Sequence, residues 1–184
     1  MTEGTSTESE ARRTLELIKS RRSVRQLDPS RPIPPEWVDM ILEAGIWAPS
    51  AGNRQPWEFK VVTGSDLIQK LGEASFGQAM FQDAPLVIAV IALPERSAGR
   101  YGDRGRELYC LQDTAAAVQN MLLLAHALGL GSVWVGAFSE DRAARALGLG
   151  SDQRPVALLP MGFPLSDPKP TPRRPAEAVC QHLT

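Results

Sequence analysis

Three arginines and a serine fall within five residues at Arg21-Arg22-Ser23-Val24-Arg25. Guanidinium forks, a hydroxyl and loop amides at short range suit a phosphate, which takes bidentate charged donors together with neutral ones. On an extended backbone Arg21, Ser23 and Arg25 point to one side and Arg22 to the other. The competing reading is a solvated basic loop, because sixteen of the twenty cationic residues are arginine and composition alone places some of them in loops. A second stretch, APSAGNRQPW (Ala48 to Trp57), combines small residues that admit a flat ligand to the backbone with Ser50, Asn53 and Gln55, which can bond the edge of a heterocycle. A hydrophilic turn has the same composition. In a third, PTPRRP (Pro170 to Pro175), stiff backbone carries Arg173 and Arg174 and reduces the entropy lost when either clamps an anion; a basic surface tail competes with that reading.

Other chemistries find little support. The two histidines, His126 and His182, and two cysteines, Cys110 and Cys180, are scattered without metal-ligand spacing, so no metal site is expected and each thiol reads as buried and reduced. His126 lies in an apolar helical run, where a packed core or interface role is expected rather than a nucleophile-activating one. Glu107, Gln112 and Asp113 fall on the same long helix; solvated charge is the plain reading, although Gln112-Asp113 followed by TAAA could face a pocket. ALGLGS (Ala127 to Ser132) follows a helix and precedes a strand, the reverse of the order a dinucleotide loop requires.

The elements that must position these residues are read from periodicity and punctuation. Residues 1–9 read as a disordered tail; a helix over EARRTLELIKS ends near Ser20. Pro34 and Pro35 allow a second helix to begin, with Trp37, Met40, Ile41, Ala44 and Trp47 on one face and Pro49 beyond its end. WEFKVVT alternates as a strand. Ser65 is a plausible N-cap for DLIQKLGEAS. PLVIAVIAL is a continuous apolar run, as for a strand covered on both faces. PERSAGRYGDRGREL (residues 94–108) reads as an exposed loop or lid, and the longest helix as about Arg106 to Leu128, stopped by Gly129. SVWVGAF and PVALLPM read as strands separated by a short helix capped by Ser139. Prolines 164, 168, 170, 172 and 175 keep the last stretch extended before a brief terminal helix. This order points to a mixed sheet with helices on its faces. The proline-rich 164–184 segment makes best sense as an arm lying across another subunit.

The 184 residues suit one domain, 10–184, and 43% hydrophobic content is enough for a core. A net charge of −1 argues against a nucleic-acid or polyanion binder. The polar start MTEGTSTESEARR has no signal-peptide h-region, and MLLLAHALGLG is too short to span a bilayer, so no membrane association and a cytoplasmic location are expected.

RRSVR, APSAGNRQPW, ALGLGSVWVGAF and MGFP…PRRP, in this order and spacing, together resemble the nitroreductase family of flavin enzymes, a likeness that covers nearly everything from Thr14 to Cys180. YCLQDTAAAVQNMLLLAHALGLGSVWVGAF looks like a short-chain branch. The resemblance implies an α+β fold with a mixed sheet flanked by helices, an intertwined homodimer, and FMN at the subunit interface. It places Arg21 and Ser23 at the FMN phosphate and ribityl end, Arg22 beside them through backbone or side chain, and Arg173 on the phosphate from the arm. It places Arg25 by the flavin pyrimidine edge. Pro49, Ser50 and Asn53 are expected from the other subunit, and Trp134, Val135, Gly136 and Ala137 along the isoalloxazine, with backbone N–H at N5. No side chain is then needed as an acid–base catalyst. Where many members carry a glutamate in the N5 loop this chain has Gly136 and Ala137, and Thr171 stands where some have a second phosphate-binding lysine.

The implied activity is an FMN-dependent NAD(P)H oxidoreductase that reduces nitroaromatics, quinones or similar planar electron acceptors by ping-pong hydride transfer, with NADH or NADPH as reductant. Alternatives on the same fold are a reductive dehalogenase, for which Glu95, Arg100, Tyr101 and Arg104 would grip a zwitterion, or a flavin-fragmenting enzyme. A flavin-binding protein without turnover is a further alternative.

Overall fold

A computed structural model describes residues 3–183, with side chains from residue 7 onward. The first helix, α1 (Glu3–Ser20), begins well before the expected boundary. Of the segment expected to be a disordered tail, residues 3–9 are helical and residues 1–2 lie outside the described part. Acidic residues favour a helix N-terminus, and the Glu8–Arg12 ion pair one turn apart supports this stretch, signals that a composition-based reading passes over.

Two helical layers sandwich an antiparallel sheet. Its strands are β1 (Leu27–Asp28), β2 (Trp57–Val62), β3 (Leu86–Ala92), β4 (Gly131–Ser132) and β5 (Arg154–Pro164), in the order β1-β5-β3-β2, with β4 also on β5. All strand pairings are antiparallel, a correction to the expected mixed sheet; among the described residues the parallel component is one bridge, Ser23 to Ser132. The α+β class stands.

β3 shows why its sequence is apolar throughout. Val87, Ala89 and Ile91 face α3 (Ser65–Ala74) and α6 (Glu140–Leu147), packing with Ile68, Leu71, Ala143 and Leu147. Leu86, Ile88 and Val90 face α2 (Pro35–Ile46) and α5 (Cys110–Ala127), packing with Ile41, Val118, Met121 and Leu122. Side chains alternate across a strand, so one covered by helices on both faces has no polar side to show. Truncating one of the buried leucines or isoleucines here, such as Ile88 or Leu71, to alanine costs about 2–5 kcal/mol.

Other expectations shift. Ser65 opens α3 but does not cap it; Gly64 holds that position without a side-chain bond. Ser139 does cap α6, its Oγ accepting from the Arg142 N–H at 3.4 Å. Residues 94–108, expected as a loop, form α4 (Pro94–Arg104), kinked at Gly102, and a π-type turn over Gly105–Tyr109 that runs into α5. Gly129, at φ +78°, stops α5 as expected. SVWVGAF supplies only Ser132, the second residue of β4, and a bridge from Val135 to Leu158; the rest is irregular, with Trp134, Gly136 and Ala137 exposed. Cys110 is buried, but Cys180 is exposed, correcting its expected burial.

Among the described residues no helix is long and apolar enough to cross a membrane.

Candidate functional site

The arginine loop leaves α1 and at once joins the sheet edge. Val24 N–H donates to the Ser132 carbonyl at 3.0 Å, and Ser23 bridges Ser132. β4 therefore brings RRSVR beside the start of 132–137, two stretches more than a hundred residues apart in sequence. Val135 in turn exchanges both backbone bonds with Leu158, at 2.9 and 3.0 Å, which leaves Trp134, Gly136 and Ala137 projecting from the sheet. Their far end is tethered by Gln78, whose Nε2 donates to the Ala137 carbonyl at 3.0 Å and to the Ser75 carbonyl at 3.1 Å. Nothing in the sequence pattern singled out Gln78.

The C-terminal arm begins against its own chain. Leu165 N–H donates to the Gln26 carbonyl at 3.0 Å, and the Ser166 hydroxyl to Gln26 Oε1 at 2.8 Å. Asp167, Pro168 and Pro170 then line a cleft of about 360 Å³ with Ser20, Arg22 and His126. That path carries Arg173 close enough to Arg21 for their charges to repel. Burial, Arg173 and Arg22, in that order, push the Arg21 pKa down, and no carboxylate offsets them. Among the described residues Arg21 has neither an ion pair nor a side-chain hydrogen bond. A half-buried guanidinium surrounded by like charge is costly alone and suited to an anion. Arg173 folds back on the Thr171 hydroxyl at 2.7 Å, so Thr171 orients this arginine.

The other expected residues take distinct positions. Arg22 donates to the Lys19 and Arg21 carbonyls, capping the C-terminus of α1, so its side chain serves the helix end and keeps only part of its donor set for a ligand. Arg25 is exposed at the loop's end. His126 is not packed in the core. Its Nε2 lies 2.8 Å from the Ser20 hydroxyl, and burial, with Arg21 and Arg22, depresses its pKa and keeps it neutral. The missed signal was its place at the C-terminal end of α5, opposite the arginine loop.

Pro49, Ser50 and Asn53 are not brought to this cluster. Their loop lies at the opposite end of α5, where Ala51 N–H donates to both Asp113 oxygens at 3.1 and 3.2 Å. Asp113 and His126 are thirteen residues apart on one helix, a separation of about 20 Å at 1.5 Å per residue. Asp113 is only 7% exposed, and burial raises its pKa against the opposing Ala51 hydrogen bond. The loop is tightly wound: Gly52, Asn53 and Gln55 have φ of +55°, +54° and +48°. Ser50 Oγ accepts from Gln55 N–H at 2.9 Å, and Gln55 Nε2 donates to Asn53 Oδ1 at 3.1 Å. Left-handed non-glycine residues cost free energy and collect at functional sites. A crossed pair fastens this loop to α4: Arg54 Nε donates to the Arg96 carbonyl at 2.9 Å, and Arg96 Nε to the Arg54 carbonyl at 2.6 Å. One chain thus carries two half-sites, an arginine half and a polar-loop half, at opposite ends of α5.

The Nitroreductase family model matches residues 18–79 and 76–163. A Methanothermobacter thermautotrophicus protein provisionally named NADH dehydrogenase/NAD(P)H nitroreductase is 37% identical over 158 residues, covering 84% of this chain and 78% of that one. An NADH dehydrogenase of Thermus thermophilus is 32% identical over 186 residues, covering 86% and 90%. The crystal structure of the NADPH:FMN oxidoreductase from Vibrio harveyi, complexed with NAD+, aligns with a TM-score of 0.84 at 28% identity, covering 93% of this chain and 77% of that one.

Proposed function

The chain belongs to the nitroreductase family, and from that membership we propose that it is an FMN-dependent NAD(P)H oxidoreductase working as a homodimer on small planar electron acceptors such as nitroarenes and quinones. The observation that carries the proposal is the unpaired Arg21 beside Arg173 and Arg22, on the loop that bridges Ser132 just ahead of the exposed Trp134, Gly136 and Ala137. Their charge and lack of a carboxylate fit a phosphate monoester. Arg21, Ser23 and Arg173 would hold that phosphate, with the Arg22 loop amide adding a donor; the Arg21 amide is bonded to the Leu17 carbonyl. Arg25 would face the pyrimidine edge, and the backbone of Trp134, Val135, Gly136 and Ala137 would line the ring.

When bound, FMN supplies a ring that takes up a hydride from NAD(P)H and passes it on. The protein supplies position and charge, so the missing glutamate at Gly136–Ala137 removes a side chain and leaves the backbone donors in place. For a nitroarene the balance is one nitroarene, one NAD(P)H and one proton giving a nitrosoarene, NAD(P)+ and water. Reductant and acceptor would use the same open ring face in turn, in ping-pong order.

The two-ended arrangement supports the dimer. Within one chain Pro49, Ser50 and Asn53 sit about 20 Å along α5 from the arginine half-site, so a second copy is the simplest source of a polar loop for each arginine cluster. In the zwitterion-gripping alternative Glu95 would have to be shared, since it already accepts from Arg106 at 2.7 and 3.1 Å.

The test is an absorbance spectrum of the purified protein, recorded without oxygen as NADH and then NADPH is added, followed by a quinone. Flavin bands that bleach and return agree with the proposal. Protein that neither carries nor binds FMN refutes it, and bound flavin that no nicotinamide bleaches points to binding without turnover.

A further inference from the structure

The kinked segment 94–109 carries four arginines against three acids, Glu95, Asp103 and Glu107. How these charges are spent is uneven. Arg106 takes both Glu95 and Asp103, and Arg96 is committed to the Arg54 carbonyl. Glu107 is exposed and makes no ion pair among the described residues. Arg100 and Arg104 are exposed with no carboxylate partner among those residues. Each lies against a tyrosine ring, Arg100 at 5.5 Å from Tyr101 and Arg104 at 5.3 Å from Tyr109, and the two rings meet edge to face at 5.2 Å. Arg104 Nε donates to the Tyr109 hydroxyl at 2.9 Å, which leaves its remaining N–H groups open. The Arg100 guanidinium and the Tyr101 hydroxyl have no hydrogen-bond partner among the described residues.

This patch presses on the polar half-site. A Cβ at Gly52 would lie 2.5 Å from the Tyr101 hydroxyl and 3.3 Å from Arg100 Nε, so glycine there is what lets the patch reach the loop of Ser50 and Asn53. Arg100 and Tyr101 are thus uncommitted donors placed against that loop. Two guanidiniums without a carboxylate partner among the described residues, flanking an aromatic pair, complement an aromatic ring that carries an anionic group.

We propose that Arg100 and Arg104, with Tyr101, form an acceptor subsite selecting planar aromatics that bear a carboxylate or comparable anion. This rests on the oxidoreductase reading above for its redox step and adds the substrate class. Anion binding is carried by the cations, while the transfer of hydride and proton keeps the balance already given.

The experiment compares 4-nitrobenzoate with 4-nitrobenzyl alcohol on the FMN-loaded protein, for wild type, Arg100→Gln, the Arg100→Gln/Arg104→Gln pair and Arg100→Lys. The kcat/KM ratio of the anionic over the neutral acceptor is expected to fall about tenfold in Arg100→Gln and further in the pair, the loss expected for a charged hydrogen bond at an exposed site. Arg100→Lys restores part of the ratio, and added salt narrows the gap. Each acceptor serves as the other's control, so an effect on the reductant or on FMN loading cancels. An unchanged ratio with both compounds reduced overturns the subsite and leaves the oxidoreductase reading intact. Should neither compound be reduced, that reading fails, and calorimetry decides the subsite alone. Binding of 4-nitrobenzoate about tenfold weaker in Arg100→Gln upholds it, and equal affinity overturns it.

Discussion

Replacing Arg21 by alanine is expected to separate stability from binding. In the ligand-free chain the Arg21 guanidinium is partly desolvated, repelled by Arg173 and Arg22, and has no ion pair among the described residues. Its depressed pKa means that the folded state disfavours its charge, so at neutral pH, where arginine stays protonated, that charge opposes folding. Removing it relieves the repulsion at the expense of some aliphatic packing. Arg21→Ala is therefore expected to melt at or slightly above the wild-type temperature when both are stripped of ligand. The opposite holds with an anion in place. A charge-assisted hydrogen bond contributes about 1.5–3 kcal/mol, so losing this residue weakens FMN affinity about 10- to 150-fold. The assay is thermal denaturation of apo and FMN-saturated protein in parallel, with affinity from fluorescence titration. FMN stabilises wild type by mass action, and at equal ligand concentration the variant's gain is smaller. An apo variant that melts several degrees lower with unchanged FMN affinity would refute the assignment and make Arg21 a structural residue.

Two further outcomes follow from the buried titratable groups. Asp113→Ala removes the acceptor for the Ala51 N–H and is expected to cost about 1–3 kcal/mol, roughly 2–12 °C in Tm for a chain of this size. Asp113→Asn keeps an acceptor oxygen and relieves the charged form of its burial. The raised native pKa means stability falls as pH rises from the ordinary aspartate range through the native value, so Asn gains on wild type above that window. Equal losses in the two variants, measured by melting against pH, would show that the carboxylate charge itself is required. His126 works in the opposite direction: its native pKa is depressed, so its contribution is complete above about 6.5 and fades as pH falls from there toward the native value. His126→Gln, which can still bond Ser20, is expected to flatten the decline that begins as pH falls below about 6.5; an unchanged slope places that decline on other groups.

Local signals carried the elements well where each element's own residues decided it. The double proline at 34–35, the apolar run of β3, the Ser139 cap and the Gly129 stop are short-range chemistry, and the structure places them as read. The failures share one cause. Residues 94–108 look like a loop because Gly99, Gly102 and Gly105 interrupt them and charges fill them, yet Arg106 bonds back to Glu95 and Asp103 and the tyrosines pack on each other. SVWVGAF has strand composition, but only Ser132 finds a ladder partner on β5 and Val135 an isolated bridge, since a strand exists where a neighbour is free to bond it.

The candidate site divides along the same line. Residue type and spacing marked Arg21, Ser23, Arg173 and the Ser50–Asn53 loop, because anion and heterocycle recognition require particular donors and those donors are written in the sequence. Their arrangement in two halves was not written there. β4 joining Ser132 to the arginine loop, the arm returning along Gln26, and α5 holding Asp113 and His126 about 20 Å apart are long-range contacts. So are the committed and uncommitted charges: that Glu95 is spent on Arg106 while Arg100 is free depends on the kink at Gly102 and on which side chains it brings within reach. The sequence by itself determined which groups are available for chemistry, and packing across distant segments decided which of them remain open to a ligand.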